Sequence, residues 1–290
     1  MITIIVSSAK RQFLEHLRRN IEATIGTPYE LIAIENSKGE MGICHVYNQG
    51  VSRAKYEVLC FMHEDLEIKT NNWGLKVLSA FDNHLDLGVL GVAGCAYKSF
   101  APSGWDADGN EGGVKAINYI QNFKSKTKEG TKVYFNSTGE DIVEVACLDG
   151  MWLCTRKAIA VNHRFDDTLL KGFHGYDVDF CLNVGQTHQV AVTFEILMEH
   201  FSEGSFSKEW LLEILKVHQK WQHILPISKV ALSDVQQLQF EKRAYKRLIT
   251  NMINFGFKKG EILNILINGK KSGKIPLIQF LKLSFCLLKL

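Results

Sequence analysis

The sequence predicts an α/β protein with a doubly wound, mainly parallel sheet, helices on both faces, and a basic helical C-terminal appendage. Over the first 92 residues, short β-branched apolar runs alternate with segments whose apolar residues recur at helical spacing, a pattern typical of βαβ units. From Ser228 onward the chain carries twelve Lys/Arg and three Asp/Glu, a net charge of +9. Because the whole chain has a net charge of +3, residues 1–227 carry −6. We therefore predict a domain at residues 1–227 and an appendage at residues 228–290.

The first three elements form one βαβ unit. Residues 3–7 and 29–34 are apolar and rich in β-branched residues, so both predict strands. Between them, Phe13, Leu17 and Ile21 recur at helical spacing. Two strands of one sheet joined by a helix are expected to run parallel.

A second unit follows directly. Over residues 43–54, apolar residues recur at i, i+3, i+4, i+7 and i+8, which predicts a helix, and residues 58–62 predict a buried strand. A helix over residues 72–81 and a strand over residues 87–92 continue the alternation. Helices are therefore expected on both faces of the sheet.

The alternation stops at residues 96–141, which are rich in Gly, Asp, Asn and Lys and predict a long loop, functional or disordered. Strand character resumes on either side of Asp149 and Gly150. The remaining expected elements are strands at residues 143–148, 151–155 and 190–197, helices at residues 177–184 and 207–223, and two tail helices at residues 235–255 and 276–290, joined by a Gly/Lys-rich link at residues 268–273.

The third strand ends abruptly on His63, Glu64 and Asp65. Clustered acids there offer oxygen ligands at the carboxyl edge of a sheet, where α/β proteins bind their ligands. Two further polar clusters lie beside apolar runs, at residues 176–179 and 199–200. We expect the three clusters to assemble into one site.

Composition limits the class of protein. The seven cysteines are scattered without a C-x-x-C pair, and the first six residues read as a strand rather than a signal peptide; both indicate a cytoplasmic protein with reduced thiols. The acidic charge of residues 1–227 argues against nucleic-acid binding. The sequence also lacks a phosphate-binding P-loop, a G-x-S-x-G elbow and an H-E-x-x-H zinc motif.

The last segment, residues 277–288, is apolar but too short and too interrupted to span a bilayer. Because it follows a basic stretch, it fits peripheral attachment to an anionic membrane. A homodimer contact or packing against the body fits it equally well.

Taken in order, these segments resemble the family 2 nucleotide-sugar glycosyltransferases, which have the GT-A fold. The resemblance covers roughly residues 1–210 and implies a Rossmann-like, mixed but mainly parallel sheet. It implies inverting, metal-assisted sugar transfer from a nucleotide diphosphate sugar to a hydroxyl acceptor, in surface polysaccharide or glycan synthesis. The motifs that carry it are residues 4–7, 34–37, 48–54, 61–65, 148–151, 175–179 and 199–205.

This resemblance assigns roles to the polar clusters. Asp65 and His200 are expected to hold a divalent cation, Mn²⁺ or Mg²⁺, that neutralises the departing diphosphate. The family has Asp-x-Asp where this chain has His63, a residue that we assign to a hydrogen bond with ribose or phosphate. Asp177 is the expected base for the acceptor hydroxyl, with Asp179 in reserve. Both acids could instead simply stabilise the start of a helix.

The resemblance also assigns donor contacts and an acceptor, a glycan or a lipid-linked molecule. Residues 96–141 are expected to recognise that acceptor or to close as a lid. A tight hairpin turn is the equal alternative for Asp149 and Gly150. The expected donor contacts are Ser7, Glu35, Asn48, Arg53, His63, Glu64, Asp65, Asp149 and Gly150.

Two other classes fit parts of the sequence. His63 in place of an acid is compatible with a catalytically silent nucleotide-sugar-binding module. A nucleotidyltransferase is expected to have a glycine-rich basic loop after the first strand, and residues 7–11 contain no glycine. The sequence leaves open the donor sugar, the base, the acceptor, the linkage and the oligomeric state.

Overall fold

The computed structural model of the chain describes residues 1–122, 130–202, 204 and 206–288. In these residues the strands are β1 (Ile2–Ser8), β2 (Tyr29–Glu35), β3 (Val58–Met62), β4 (Leu66–Ile68), β5 (Leu87–Gly91), β6 (Ala93–Cys95), β7 (Tyr97–Lys98), β8 (Lys115–Gln121), β9 (Thr131–Phe135), β10 (Ile142–Glu144), β11 (Cys147–Leu148), β12 (Trp152–Arg156), β13 (Gln189–Thr193), β14 (Met198–His200) and β15 (Ile227–Ser228). The α-helices are α1 (Arg11–Thr24), α2 (Ile43–Arg53), α3 (Trp73–Asn83), α4 (Lys157–Asn162), α5 (Tyr176–Val184), α6 (Lys208–Trp221), α7 (Asp234–Asn254), α8 (Lys259–Lys271) and α9 (Leu277–Leu288).

The main sheet has seven strands in the described part of the chain, in the order β10-β13-β5-β12-β3-β1-β2. β1 pairs in parallel with β2 and β3, and β5 pairs in parallel with β13. β12 lies antiparallel between β3 and β5, and β10 is antiparallel to β13. Five strands thus share one direction, which confirms the predicted mixed, mainly parallel sheet.

Both faces of this sheet are covered by helices, as the sequence predicts. Alternate residues of a strand point to opposite faces. Ile4 and Val6 of β1 join a core cluster with α1 and α3, whereas Ile5 joins the other cluster, with α2 and α5. The six cysteines with described side chains are free and buried.

The predicted loop at residues 96–141 is wrong as a description of the backbone. It contains β8 and β9, which pair antiparallel, and β8 is a central strand of a second sheet ordered β11-β6-β8-β14-β4. The sequence of β8 does not alternate between apolar and polar residues, and the Gly- and Lys-rich segments around it are typical of a loop. What stays irregular beside the cleft is the segment at residues 99–108.

Further boundaries differ from prediction. The single strand expected at residues 143–148 is two strands, β10 in the main sheet and β11 in the second sheet. The strand expected at residues 190–197 ends at Thr193, and β14 then enters the second sheet. Asp149 and Gly150 connect β11 of the second sheet to β12 of the main sheet, and β11 and β12 do not pair with each other. The hairpin-turn alternative for these two residues is therefore wrong.

The C-terminal segment forms three helices rather than two, because α8 fills most of the stretch before residue 272 and extends into the predicted Gly/Lys-rich link. The buried faces of α7 and α8 belong to the same core cluster as Ile5. The domain boundary at residue 227 remains a prediction. Across the described residues, no helix has the length and apolarity needed to cross a membrane.

Candidate active site

A cleft of about 1080 Å³ opens at the carboxyl ends of β1 and β3. Ser7, near the end of β1, and His63, directly after β3, line it together with Asp177 and His200. At Asp149 and Gly150 the chain passes from the second sheet to the main sheet, and both residues line the same cleft. The convergence of three distant polar clusters, predicted from the sequence, is thus present.

His63, Asp65 and His200 form the centre of the cleft. One potential ligand atom from each lies within 4.8 Å of the others, and His200 Nε2 is 3.6 Å from Asp65 Oδ1. The strand pairing explains this convergence, since β4 runs antiparallel to β14 with His200 opposite Leu66. Two imidazoles and a carboxylate are a chemically suitable donor set for a borderline divalent cation.

Tyr176 fixes the orientation of His63. Its hydroxyl donates to the carbonyl oxygen of Gly150 at 2.9 Å, and the same hydroxyl lies 2.9 Å from His63 Nε2. Because a phenol has only one hydrogen, Nε2 must be the donor to the Tyr176 oxygen, which leaves Nδ1 with a free lone pair. Burial, followed by the neighbouring His200, lowers the pKa of His63 and keeps the ring neutral. A neutral imidazole held in this way is suited to bind a cation.

Gly150 allows this arrangement. A Cβ at this position would overlap the Tyr176 hydroxyl. Its amide donates to Asp177 Oδ2 at 3.2 Å, while its carbonyl accepts from Tyr176. The loop between the two sheets therefore connects the candidate cation ligands to the candidate base.

Asp177 lies in the first turn of α5 and lines the cleft. Its Oδ1 accepts from the Val178 amide at 2.9 Å. Burial raises the pKa of Asp177 to about 7, and the negative charge of Asp149 contributes in the same direction. A carboxylate with a pKa near neutrality is a much stronger base than an ordinary aspartate.

Asp179, the reserve base, does not line the cleft. Asp179 lies two residues after Asp177 in the helix, a rotation of about 200° around the helix axis, so its side chain faces away from that of Asp177. It is 1% exposed and binds Lys220 Nζ at 2.9 Å and Trp221 Nε1 at 2.7 Å. In this structure it joins α5 to α6.

The expected donor contacts divide into two groups. Ser7, Glu64 and Asp149 line the cleft, but Glu64 also accepts hydrogen bonds from the Ser8 hydroxyl and from the amides of Ala9 and Lys10 at the start of α1. The others lie outside the lining: exposed Glu35 accepts from the Ser37 amide, Asn48 donates to the Phe165 carbonyl, and Arg53 is exposed at the end of α2.

Sequence reasoning missed the far end of the cleft. Phe206, Trp210, Arg247 and Asn251 line it, and the last two lie on α7, in the segment that we predicted to be an appendage. The amphipathic pattern of α7 shows that one face is buried, but it does not show which surface that face covers.

The mixed, mainly parallel sheet and the cleft at its carboxyl edge agree with the GT-A fold of glycosyltransferases. Residues 2–218 match the profile of a family described as "Glycosyltransferase like family". The chain belongs to this family. No curated protein matches it by sequence.

Solved structures share the fold at low sequence identity. GalNAc-T7, solved with UDP, GalNAc and Mn²⁺, superposes with a TM-score of 0.54 at 9% identity. The superposition covers 93% of this chain and 55% of the GalNAc-T7 chain. TarS 1-349 of S. aureus, solved with UDP-GlcNAc, has a TM-score of 0.54 at 14% identity over 95% of this chain and 81% of its own. At these identities the likeness concerns the fold.

Proposed function

We propose that this glycosyltransferase moves a sugar from a nucleotide diphosphate donor to a hydroxyl acceptor, with inversion at the sugar carbon. One observation carries the proposal: His63, Asp65 and His200 share a cleft with Asp177. Structural relatives solved with UDP or UDP-GlcNAc support a uridine nucleotide as the first donor to test.

The donor diphosphate would lie against His63, Asp65 and His200, with the nucleoside towards Ser7 and the end of β2. These three residues would hold a divalent cation there, which would neutralise the negative charge that develops on the diphosphate as the bond to the sugar breaks. Because two of the donors are imidazoles, Mn²⁺ fits the set better than the harder Mg²⁺. GalNAc-T7, solved with Mn²⁺, is consistent with this choice.

Asp177 would act as the base. Its carboxylate would take the proton of the acceptor hydroxyl while the acceptor oxygen forms a bond to the anomeric carbon. The bond from that carbon to the diphosphate breaks in the same step, and the nucleoside diphosphate departs with the electron pair. Attack on the side opposite the leaving group inverts the anomeric configuration.

The C-terminal helix α9 supports a peripheral membrane contact. Leu277, Ile278, Leu281 and Phe285 lie on one arc of the helix and are between 56% and 70% exposed. Lys282 is exposed beside them, and further lysines precede the helix. An apolar stripe next to cations suits an anionic lipid surface, where a lipid-linked acceptor for surface polysaccharide or glycan synthesis would be found.

Incubation with UDP-glucose, UDP-galactose, UDP-GlcNAc and UDP-GalNAc plus MnCl₂ tests the central proposal. Release of UDP, together with a Mn²⁺-dependent rise in melting temperature, is the expected result with at least one donor. Asp177→Asn is the matched variant: it should retain the melting shift and lose transfer. Binding without UDP release in the wild type, across a broad set of hydroxyl acceptors, would favour a silent nucleotide-sugar-binding module.

A further inference from the structure

One wall of the cleft is formed by α7. Phe240, Ala244, Arg247, Leu248 and Asn251 line it, at the i, i+4, i+7, i+8 and i+11 positions of one helix face. This helix begins at Asp234, beyond the residues that match the family profile. This wall is therefore built by a part of the chain that the family match does not include.

The same helix fixes the adjoining wall, the segment at residues 99–108, which also lines the cleft. Glu241 is 3% exposed and accepts three hydrogen bonds: from the Tyr97 hydroxyl at 2.7 Å, the Phe100 amide at 2.8 Å and the Ala101 amide at 3.2 Å. Arg247 binds Asp108 at 2.7 Å at the other end of the segment. Both walls are thus held in place before any ligand arrives, which favours specific binding.

Accessible aromatic rings lie beside these two walls. Phe206 is 57% exposed, and its ring centroid lies 5.1 Å from that of Trp210 at an interplanar angle of 83°. The Arg247 guanidinium lies over the Phe206 ring at 5.2 Å. Trp105 and Phe173 also line the cleft. Large exposed aromatics in a cleft indicate a ligand-binding surface.

The charges at this end are paired. Arg247 binds Asp108, and Lys115 binds Asp106 at 3.0 Å. These pairs do not favour a strongly anionic ligand, yet together with Asn251 they offer many hydrogen-bond donors and acceptors beside the rings. A sugar ring has the matching properties, with apolar C–H faces and hydroxyl edges.

We propose that this region is the acceptor subsite and that it binds an uncharged carbohydrate. The sugar stacks on Phe206 and Trp210 and hydrogen-bonds to Asn251 and the Arg247–Asp108 pair. Acceptor choice is then set by α7. This inference rests on the proposed function, because it takes the other half of the cleft as the donor site.

Sugar binding tests the subsite without requiring turnover. Saturation-transfer NMR is recorded with the methyl glycosides of glucose, galactose, mannose and N-acetylglucosamine, and with cellobiose, each at 10 mM, with and without UDP and MnCl₂. At least one of these sugars should bind the wild type. Phe206→Ala and Asn251→Ala should each weaken that binding at least tenfold. Tyr134→Ala, which removes a 52% exposed aromatic outside the cleft, should leave it unchanged.

Absence of sugar binding under every condition would overturn the proposal, as would binding that survives both variants in samples whose circular dichroism matches the wild type. Binding of decanol or polyprenyl phosphate in place of sugars, lost in Phe206→Ala, would also overturn it and would assign this end of the cleft to a lipid. Failure of UDP and MnCl₂ to bind, with sugar binding intact, would count against the donor site alone.

Discussion

Replacing Asp177 with asparagine should remove activity and, at the same time, make the protein relatively more stable as the pH rises. Loss of a general base lowers the rate by about 10²–10⁴. The wild-type kcat/KM should rise with pH up to about 7 and then level off, since Asp177 must lose its proton to act and burial raises its pKa to about 7.

The stability effect follows from the same pKa. An unfolded aspartate has a pKa of about 3.9, so the folded state holds this proton more tightly, and the stability linked to Asp177 is lost as the pH rises towards 7. Between pH 5 and pH 8 the loss spans about 2 pH units, or at most about 3 kcal/mol. Asp177 faces the cleft rather than the interior of the protein, so solvent screening reduces this loss of stability to about 1–2 kcal/mol. The asparagine variant carries no such penalty.

Thermal unfolding at pH 5 and pH 8 measures the difference. The melting temperature of Asp177→Asn minus that of the wild type should be about 2–8 °C larger at pH 8 than at pH 5. The lost hydrogen bond to a backbone amide is the same at both pH values and cancels. Asp179→Asn is the control on the same helix: it breaks the buried pair with Lys220 and should lower stability at both pH values. Equal melting shifts at both pH values in Asp177→Asn, or retained transfer, would refute the reasoning.

Three further predictions concern the cation centre and the last helix. Asp65→Ala should abolish the Mn²⁺-dependent melting shift and lower UDP release at least about 100-fold, and an unchanged shift would show that the cation binds elsewhere. Tyr176→Phe, which removes the hydroxyl between His63 and Gly150, should weaken Mn²⁺ binding about 10–100-fold in a titration followed by melting temperature, whereas unchanged Mn²⁺ affinity would argue against orientation of His63 by Tyr176. Leu281→Glu should abolish cosedimentation with vesicles of anionic lipid, and wild-type protein that forms a dimer and ignores vesicles would assign the stripe to a homodimer.

The first half of the fold could be predicted because each element follows a single rule. For β1, α1, β2, α2, β3 and α3 the expected bounds lie close to those observed, whereas the three-residue strand β4 was not predicted. β8 was missed because its outward residues, such as Lys115 and Gln121, sit in a Gly- and Lys-rich neighbourhood that reads as a loop. α8 was missed for a similar reason, as Gly260 and Gly269 lower its helix propensity.

The centre of the site was predictable in part. Asp65 follows β3 and His200 ends β14, so the edge of a sheet brings the two together, whereas Asp177 was expected in the same cleft because it lies at the start of a helix in a motif of the resemblance. The sequence could not predict that Asp177 lines the cleft whereas Asp179 is buried. This difference depends on Lys220, a residue of another helix whose position is set by tertiary packing.

The hydrogen bonds of Glu241 have a consequence for how this enzyme can change over evolution. A replacement helix that covered the same surface without an acid at position 241 would leave the Tyr97 hydroxyl and the amides of Phe100 and Ala101 buried without that acceptor, at about 1–3 kcal/mol for each group. The tail therefore cannot be exchanged between homologues as an independent module. A new C-terminal helix would have to arrive together with a matching 97–101 segment.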